Sequence, residues 1–213
     1  MRLLELFSGT HSVGRVAKRL GFDVVSLDLT DADIETDILL WDYMSAYPPG
    51  HFDIIWASPE CTTFSNLRRS WIGRSLKAFG DVIITPEILD KDMDENGVPL
   101  LRKTQEIIEY FKPTYWFIEN PQSSKMKDFI DSKPYQFDYC MYGFPYKKPT
   151  NIWSNKDLTS HRCDKSHLIN NRHEEILGDF PSRQNKSAKY RVPEPLIEEL
   201  LGTSHQASIA NLD

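Results

Sequence analysis

The chain has 213 residues, 40% of them hydrophobic and 12% aromatic, enough for one soluble domain with a sizeable core. No apolar run reaches the ~20 residues of a membrane span, and MRLLELFSG carries no leader pattern, so an intracellular, cytoplasmic protein is expected. Three cysteines, Cys61, Cys140 and Cys163, argue against a disulfide framework and for a reducing compartment. The net charge of −6 speaks against a generally basic nucleic-acid binder, but it is uneven: residues 1–120 carry −7, residues 121–191 carry +5 and residues 192–213 carry −4. One face of the protein could therefore meet phosphate, although a solvated surface has the same composition.

Residues 2–7 read as a strand closed by Ser8-Gly9. Residues 12–20 place Val13, Val16, Ala17 and Leu20 on one helical face, with Gly21 as the stop. A second strand over 23–29 ends at Asp28. A third over 52–57 is apolar throughout, as expected of a strand buried on both faces. The stretch 62–99 is long for a connection and is expected to be partly a mobile loop. An amphipathic helix over 100–111 is stopped by Pro113, and a fourth strand follows over 114–118. A further helix is expected over 123–132 and a weaker strand near 136–141; from 143 onward the pattern is irregular. Strands alternating with helices predict an α/β fold with a mostly parallel sheet covered on both faces. Ligands of such sheets bind at the carboxyl ends of the strands, where the polar punctuation of this sequence falls.

The Gly9 turn allows close approach to the backbone, and Asp28 can accept hydrogen bonds from ribose hydroxyls. Thr36-Asp37-Ile38 adds an acid and an apolar residue suited to an adenine. The segment GTHSVG lacks the full dinucleotide fingerprint, which favours a nucleoside without pyrophosphate over NAD. Cys61 follows a buried strand in a polar turn with Thr62, Thr63 and Ser65, where thiolate formation is helped. Glu119 follows an apolar strand. A helix cap would explain it, as would a carboxyl group facing N3 of a pyrimidine.

In order and spacing these segments resemble the DNA cytosine-5 methyltransferases. LELFSGTHSVG is similar to the first motif, Asp28 and Thr36-Asp37-Ile38 to the second and third, and Pro59-Glu60-Cys61-Thr62-Thr63-Phe64-Ser65 to the fourth. Phe117-Ile118-Glu119-Asn120-Pro121 resembles the sixth, Tyr142-Gly143-Phe144-Pro145 the lead-in of the eighth, and Tyr190-Arg191-Val192-Pro193 the ninth. The resemblance implies a Rossmann-like S-adenosylmethionine-dependent fold with a reduced target-recognition region, in a short phage- or virus-like form. It implies a catalytic domain over 1–150, a basic recognition-like segment over 151–190, and a C-terminal helix and tail over 191–213. Cys61 and Glu119 are then catalytic. Phe7, Ser8, Gly9, Thr10, Asp28, Leu29, Asp37, Ile38, Pro59 and Glu60 face S-adenosyl-L-methionine, and Ser65, Arg68, Arg69, Asn120, Lys148 and Thr150 face the substrate. Cys61 would add to C6 of a cytosine while Glu119 grips N3 and the exocyclic amine, so that C5 becomes the methyl acceptor. A duplex substrate would have to flip its base out; a single strand would not.

The sequence departs from the family pattern in four places. Glu60 replaces the proline before the nucleophile, and Thr150 replaces the second arginine of the eighth motif, while Lys148 keeps the first charge. The segment 151–189 is short for target recognition, and no closing Gly-Asn motif is visible in Gly202–Asp213. These departures keep two alternatives open: the same chemistry on RNA, single-stranded DNA or a free nucleotide, and a non-catalytic binder of cofactor or nucleic acid. An unrelated nucleotide-binding α/β enzyme ranks last. His161, Cys163, His167 and His173 cluster in the basic segment; a zinc site is conceivable, but the spacing fits none of the usual patterns, so phosphate contact or ordinary loop chemistry, with no metal, is expected. A monomer is favoured.

Overall fold

In the computed structural model residues 1–170, 172–175 and 190–209 are described. Seven strands form one sheet: β1 (Arg2–Leu6), β2 (Asp23–Asp28), β3 (Ile34–Glu35), β4 (Ile54–Ala57), β5 (Tyr115–Pro121), β6 (Tyr135–Asp138) and β7 (Pro149–Ser154). Their order is β3-β2-β1-β4-β5-β7-β6. The first five are parallel to one another, and β7 runs antiparallel to both β5 and β6. The chain leaves β1 toward β2 and β3 on one side, then crosses to β4 and β5 on the other. That reversal opens a crevice beyond the carboxyl ends of β1 and β4, the position where doubly wound sheets bind ligands.

Alternation along the strands divides the core in two. Leu4, Leu6, Ile55, Ala57, Ile118 and Trp153 face one side, against α4 (Val98–Phe111) through Leu101, Ile107 and Phe111. Leu3, Ile54, Trp56, Phe117 and Ile152 face the other, against α1 (Ser12–Arg19) and α5 (Glu194–Ile209). Each fully buried side chain of this size contributes about 1.5–3 kcal/mol, and that burial docks the helices. The ion pairs of Arg19 with Glu194 (3.0 Å) and Glu198 (2.7 Å) join α1 to α5 on the surface and add little.

Several expected elements are corrected. Most of the stretch 62–99 is organised. Residues Asn66–Trp71 form a 3-10 turn, and α3 (Pro86–Asp92) runs through one π turn, Met93–Gly97, directly into α4. Thr85 caps this helix through its side chain. Asn96-Gly97-Val98-Pro99 reads locally as a break, yet the wide turn accommodates the missing amide and the ring of Pro99 without ending the helix. The expected helix over 123–132 is only a 3-10 turn, Lys125–Asp128, capped by Ser124. The fourth strand continues through Pro121, so Glu119 and Asn120 lie inside β5, paired with Ile152 and Asn151 of β7. That strand was not foreseen, because Pro149 and the lysines before it mask the β-prone Thr150-Asn151-Ile152-Trp153. Among the described residues no helix is long and apolar enough to cross a membrane. A short helix, α2 (Tyr43–Ala46), completes the fold.

Candidate active site

The turn after β1 is built from left-handed backbone at Phe7 (φ 59°), Gly9 (φ 47°) and His11 (φ 53°). It is held against β2, since the Ser8 amide donates to the Leu27 carbonyl at 3.2 Å and the Gly9 amide to the Asp28 carboxylate at 2.8 Å. The other oxygen of Asp28 accepts the Leu29 amide at 2.7 Å. The Thr36 amide donates to the Asp28 carbonyl at 2.9 Å, drawing Asp37 and Ile38 to the same strand end. Phe7, Ser8, Gly9, Thr10, Asp28, Leu29, Asp37 and Ile38 therefore come together along one edge of the crevice. Ser8 Oγ is buried without a hydrogen-bond partner among the described residues, and Leu29 is 68% exposed. An orphaned hydroxyl beside an open apolar side chain fits a nucleoside ligand with both polar and flat surfaces.

Across the crevice, the Ser58 amide donates to the Leu6 carbonyl and carries the β1–β4 ladder one step further. Pro59 is buried and Glu60 exposed. The Glu60 carboxylate folds back to accept the amides of Thr62 (2.9 Å) and Thr63 (3.3 Å). The residue that breaks the family pattern thus caps the turn that presents Cys61. Asn120 Nδ2 donates to the Pro59 carbonyl at 3.0 Å and ties the ends of β4 and β5 together.

Cys61 is half-buried. Its thiol is held above the usual cysteine range, first by burial and then by the negative charges of Glu119 and Glu60; Lys148 opposes them. Glu119 is 7% exposed, and its Oε1 accepts the hydroxyl of Tyr139 at 2.9 Å. Burial and Glu119 hold the Tyr139 phenol well above its usual range, so it stays a donor. The Lys148 ammonium lies 4.8 Å from the centre of the Tyr139 ring. Thr150 is buried on β7, with its hydroxyl donating to the Lys148 carbonyl at 3.2 Å. Cys61, Glu119, Asn120, Lys148 and Thr150 thus lie close together where β4, β5 and β7 meet. Tyr139 is a member that the sequence reading missed, because its only sign is a tertiary contact with Glu119.

The other residues expected to face substrate are placed differently. The Arg68 guanidinium is 4% exposed, donates to the Thr63 carbonyl at 2.9 Å and pairs with Asp92. It also lies over the rings of Trp71 (5.4 Å) and Phe79 (5.5 Å), which touch each other edge to face. It clamps the loop after Cys61 onto α3 and does not face solvent. Arg69 is exposed. Ser65 caps the 3-10 turn by accepting the Leu67 amide, and it bridges to Ser124. The Lys125 amide donates to the Phe64 carbonyl at 2.8 Å, which anchors the loop after Cys61 to the segment after β5. In the basic segment His161 bonds Tyr142 at 2.9 Å, while Cys163, His167 and His173 gather around Cys140. Residues 176–189 of that segment and 210–213 of the tail lie outside the described residues.

No protein-family model matches the chain. Among curated proteins it is 38% identical over 218 residues to the probable DNA (cytosine-5)-methyltransferase of Frog virus 3, isolate Goorha, covering 94% of this chain and 99% of the relative. Among solved structures the Entamoeba histolytica methyltransferase EhMeth aligns with a TM-score of 0.50 and 13% identity, over 76% of this chain and 56% of that one. The Schizosaccharomyces pombe Dnmt2 methyltransferase gives a TM-score of 0.46 and 16% identity, over 75% and 53%. The chain thus spans a little over half the length of these solved structures. Taken with the paired strand ends that carry Cys61 and Glu119, the similarity along nearly the whole of the viral relative establishes that the chain belongs to the DNA (cytosine-5)-methyltransferase family.

Proposed function

We propose that this protein methylates carbon 5 of cytosine in DNA, with S-adenosyl-L-methionine as donor and a covalent bond from Cys61 to the base. The observation that carries the reading is the placement of a thiol in the turn after β4 and a carboxylate one residue past the last β4–β5 pair, fastened by the Asn120–Pro59 hydrogen bond. Cys61 adds to C6 and shifts electron density toward C5. Glu119, oriented by Tyr139, receives the exocyclic amine and steadies N3 as charge builds there. Lys148 supplies positive charge beside the same wall. Proton loss from C5 then expels the thiolate and frees the product.

Phe7, Ser8, Gly9, Thr10, Asp28, Leu29, Asp37, Ile38 and Pro59 would hold the cofactor, with Asp28 on the ribose and Leu29 on the adenine. S-adenosyl-L-methionine, when bound, supplies the electrophilic methyl group that C5 accepts. Ser65 and Arg68 keep the nucleophile loop in place, and the exposed Arg69 is free to meet phosphate.

The test is transfer of labelled methyl from S-adenosyl-L-methionine to duplex DNA, single-stranded DNA, RNA and cytidine nucleotide at matched salt, followed by nucleoside analysis. Label in 5-methylcytosine of DNA, lost in Cys61→Ala, is the expected result. Label only in RNA or nucleotide would move the substrate and keep the chemistry. No transfer to any of them, with cofactor still bound, would identify a non-catalytic binder.

A further inference from the structure

Between Trp153 and Val192 no described residue is buried. The described residues of this segment after Leu158, which packs half-buried against the core, bury little apolar surface to offset their ordering entropy. Yet the described residues 161–170 and 172–175 are held against the edge of the sheet, and the groups that meet there are four potential soft and borderline ligands. Cys140 is buried in the turn Tyr139–Tyr142 that follows β6. Cys163, His167 and His173 approach it from the segment, and the ligand atoms of all four lie within 4.8 Å of one another. Cys163 Sγ is 3.6 Å from His173 Nε2, and the two imidazole rings are 5.3 Å apart.

We infer that Cys140, Cys163, His167 and His173 hold a zinc ion that fastens the basic segment to the catalytic sheet. Zinc bonds of about 2.0–2.3 Å in a tetrahedron hold their ligand atoms about 3.3–3.8 Å apart, so the widest pair needs to close by about 1 Å. Two thiolates and two neutral imidazoles balance a dication, and a set without carboxylates disfavours calcium and magnesium. Four protein ligands leave no open position, which marks a structural rather than a catalytic ion. Asp138, fully buried, orients the site from behind: it accepts the Cys163 amide at 2.7 Å and pairs with Arg162 (3.2 Å) and Lys147 (3.4 Å). His161, which the sequence grouped with these residues, is engaged by Tyr142 instead. Cys140 stands 23 positions before Cys163, too far for a short-spacing motif to reveal it. The ion would sit one residue from Tyr139, so metal binding and the wall behind Glu119 share a turn.

The test is metal analysis of untagged full-length protein purified under reductant without chelator. About one zinc per chain is expected, retained in His161→Ala and lost in Cys140→Ser and in Cys163→Ser. Wild type stripped with a chelator and reloaded with cobalt should show tetrahedral ligand-field bands with thiolate charge transfer, so the outcome does not depend on the variants folding. Trypsin should cut at Arg162, Lys165 and Arg172 in the stripped protein and be slowed at all three by zinc. Less than about 0.2 equivalents after zinc reloading would overturn the inference. So would full zinc content in Cys140→Ser, or a Cys140–Cys163 disulfide that persists under reductant.

Discussion

The hydroxyl of Tyr139 donates to Oε1 of Glu119 across 2.9 Å, from the turn after the edge strand β6 to the strand beside β4. One carboxylate oxygen is thereby fixed, and in the proposed mechanism the other meets the base. Tyr139→Phe removes the donor and keeps the ring under Lys148. A hydrogen bond to a charged group is worth about 1.5–3 kcal/mol, so kcat is expected to fall about 10- to 100-fold with KM for cofactor unchanged. Steady-state kinetics beside a thermal melt would separate this positioning role from loss of fold.

The reactivity of Cys61 should climb with pH. Burial, Glu119 and Glu60 all favour the protonated thiol, so the thiolate fraction near neutrality is small and grows in alkali. Removing the opposing charge in Lys148→Gln moves the rise to higher pH, and Glu60→Gln moves it lower. Alkylation of Cys61 by iodoacetamide, followed by peptide mass spectrometry from pH 6 to about 10, reads both directions. A wild-type rate that is flat across this range would contradict the assignment.

Gly97 sits where the π turn meets the loop after Cys61. A Cβ there would come within 2.3 Å of Thr63 Oγ1 and 3.0 Å of both Thr63 Cβ and Phe64 Cε2. The backbone is ordinary, so the cost of Gly97→Ala is steric, about 1–3 kcal/mol, and it falls on the turn that aims Cys61. Urea unfolding should show the destabilisation, with methyl transfer reduced by more than the folded fraction accounts for.

Glu5 is buried under α1, its Oε2 accepting the Gly14 amide at 3.0 Å. Burial pushes its carboxyl from 4.5 up to about 7, against the pull of that amide. A carboxyl that binds its proton more tightly when folded adds stability below its unfolded value, and this is lost as pH rises through about 4.5 to 7. Glu5→Gln, which does not titrate, should therefore gain on wild type by up to about 3 kcal/mol between pH 5 and 8 in urea unfolding.

The sheet was legible because its central strands are short, apolar and closed by polar turns; β1, β2, β4 and β5 each carry that signature. So were the carboxyl-end residues, since Cys61, Glu119 and Asp28 each interrupt a run that otherwise only packs. β7 was hidden by its flanking Pro149 and lysines, and the helix from Pro86 onward by an Asn-Gly and a proline that the π turn absorbs. Arg68 looked like a loop cation because nothing local foretells its pairing with Asp92, 24 positions away. Tyr139 and Cys140 were invisible for the same reason: what each does depends on residues brought in by the fold of the edge strands.

The central claim is that Cys61 bonds covalently to cytosine. Duplex DNA containing 5-fluorocytosine, whose C5 cannot release a proton after methyl transfer, should trap the adduct in the presence of S-adenosyl-L-methionine. Denaturing intact-mass measurement is expected to show protein plus DNA plus one methyl for wild type, and protein alone for Cys61→Ser. Methyl transfer to DNA by Cys61→Ser at the wild-type rate, or an adduct mapped to a different residue, would contradict the account.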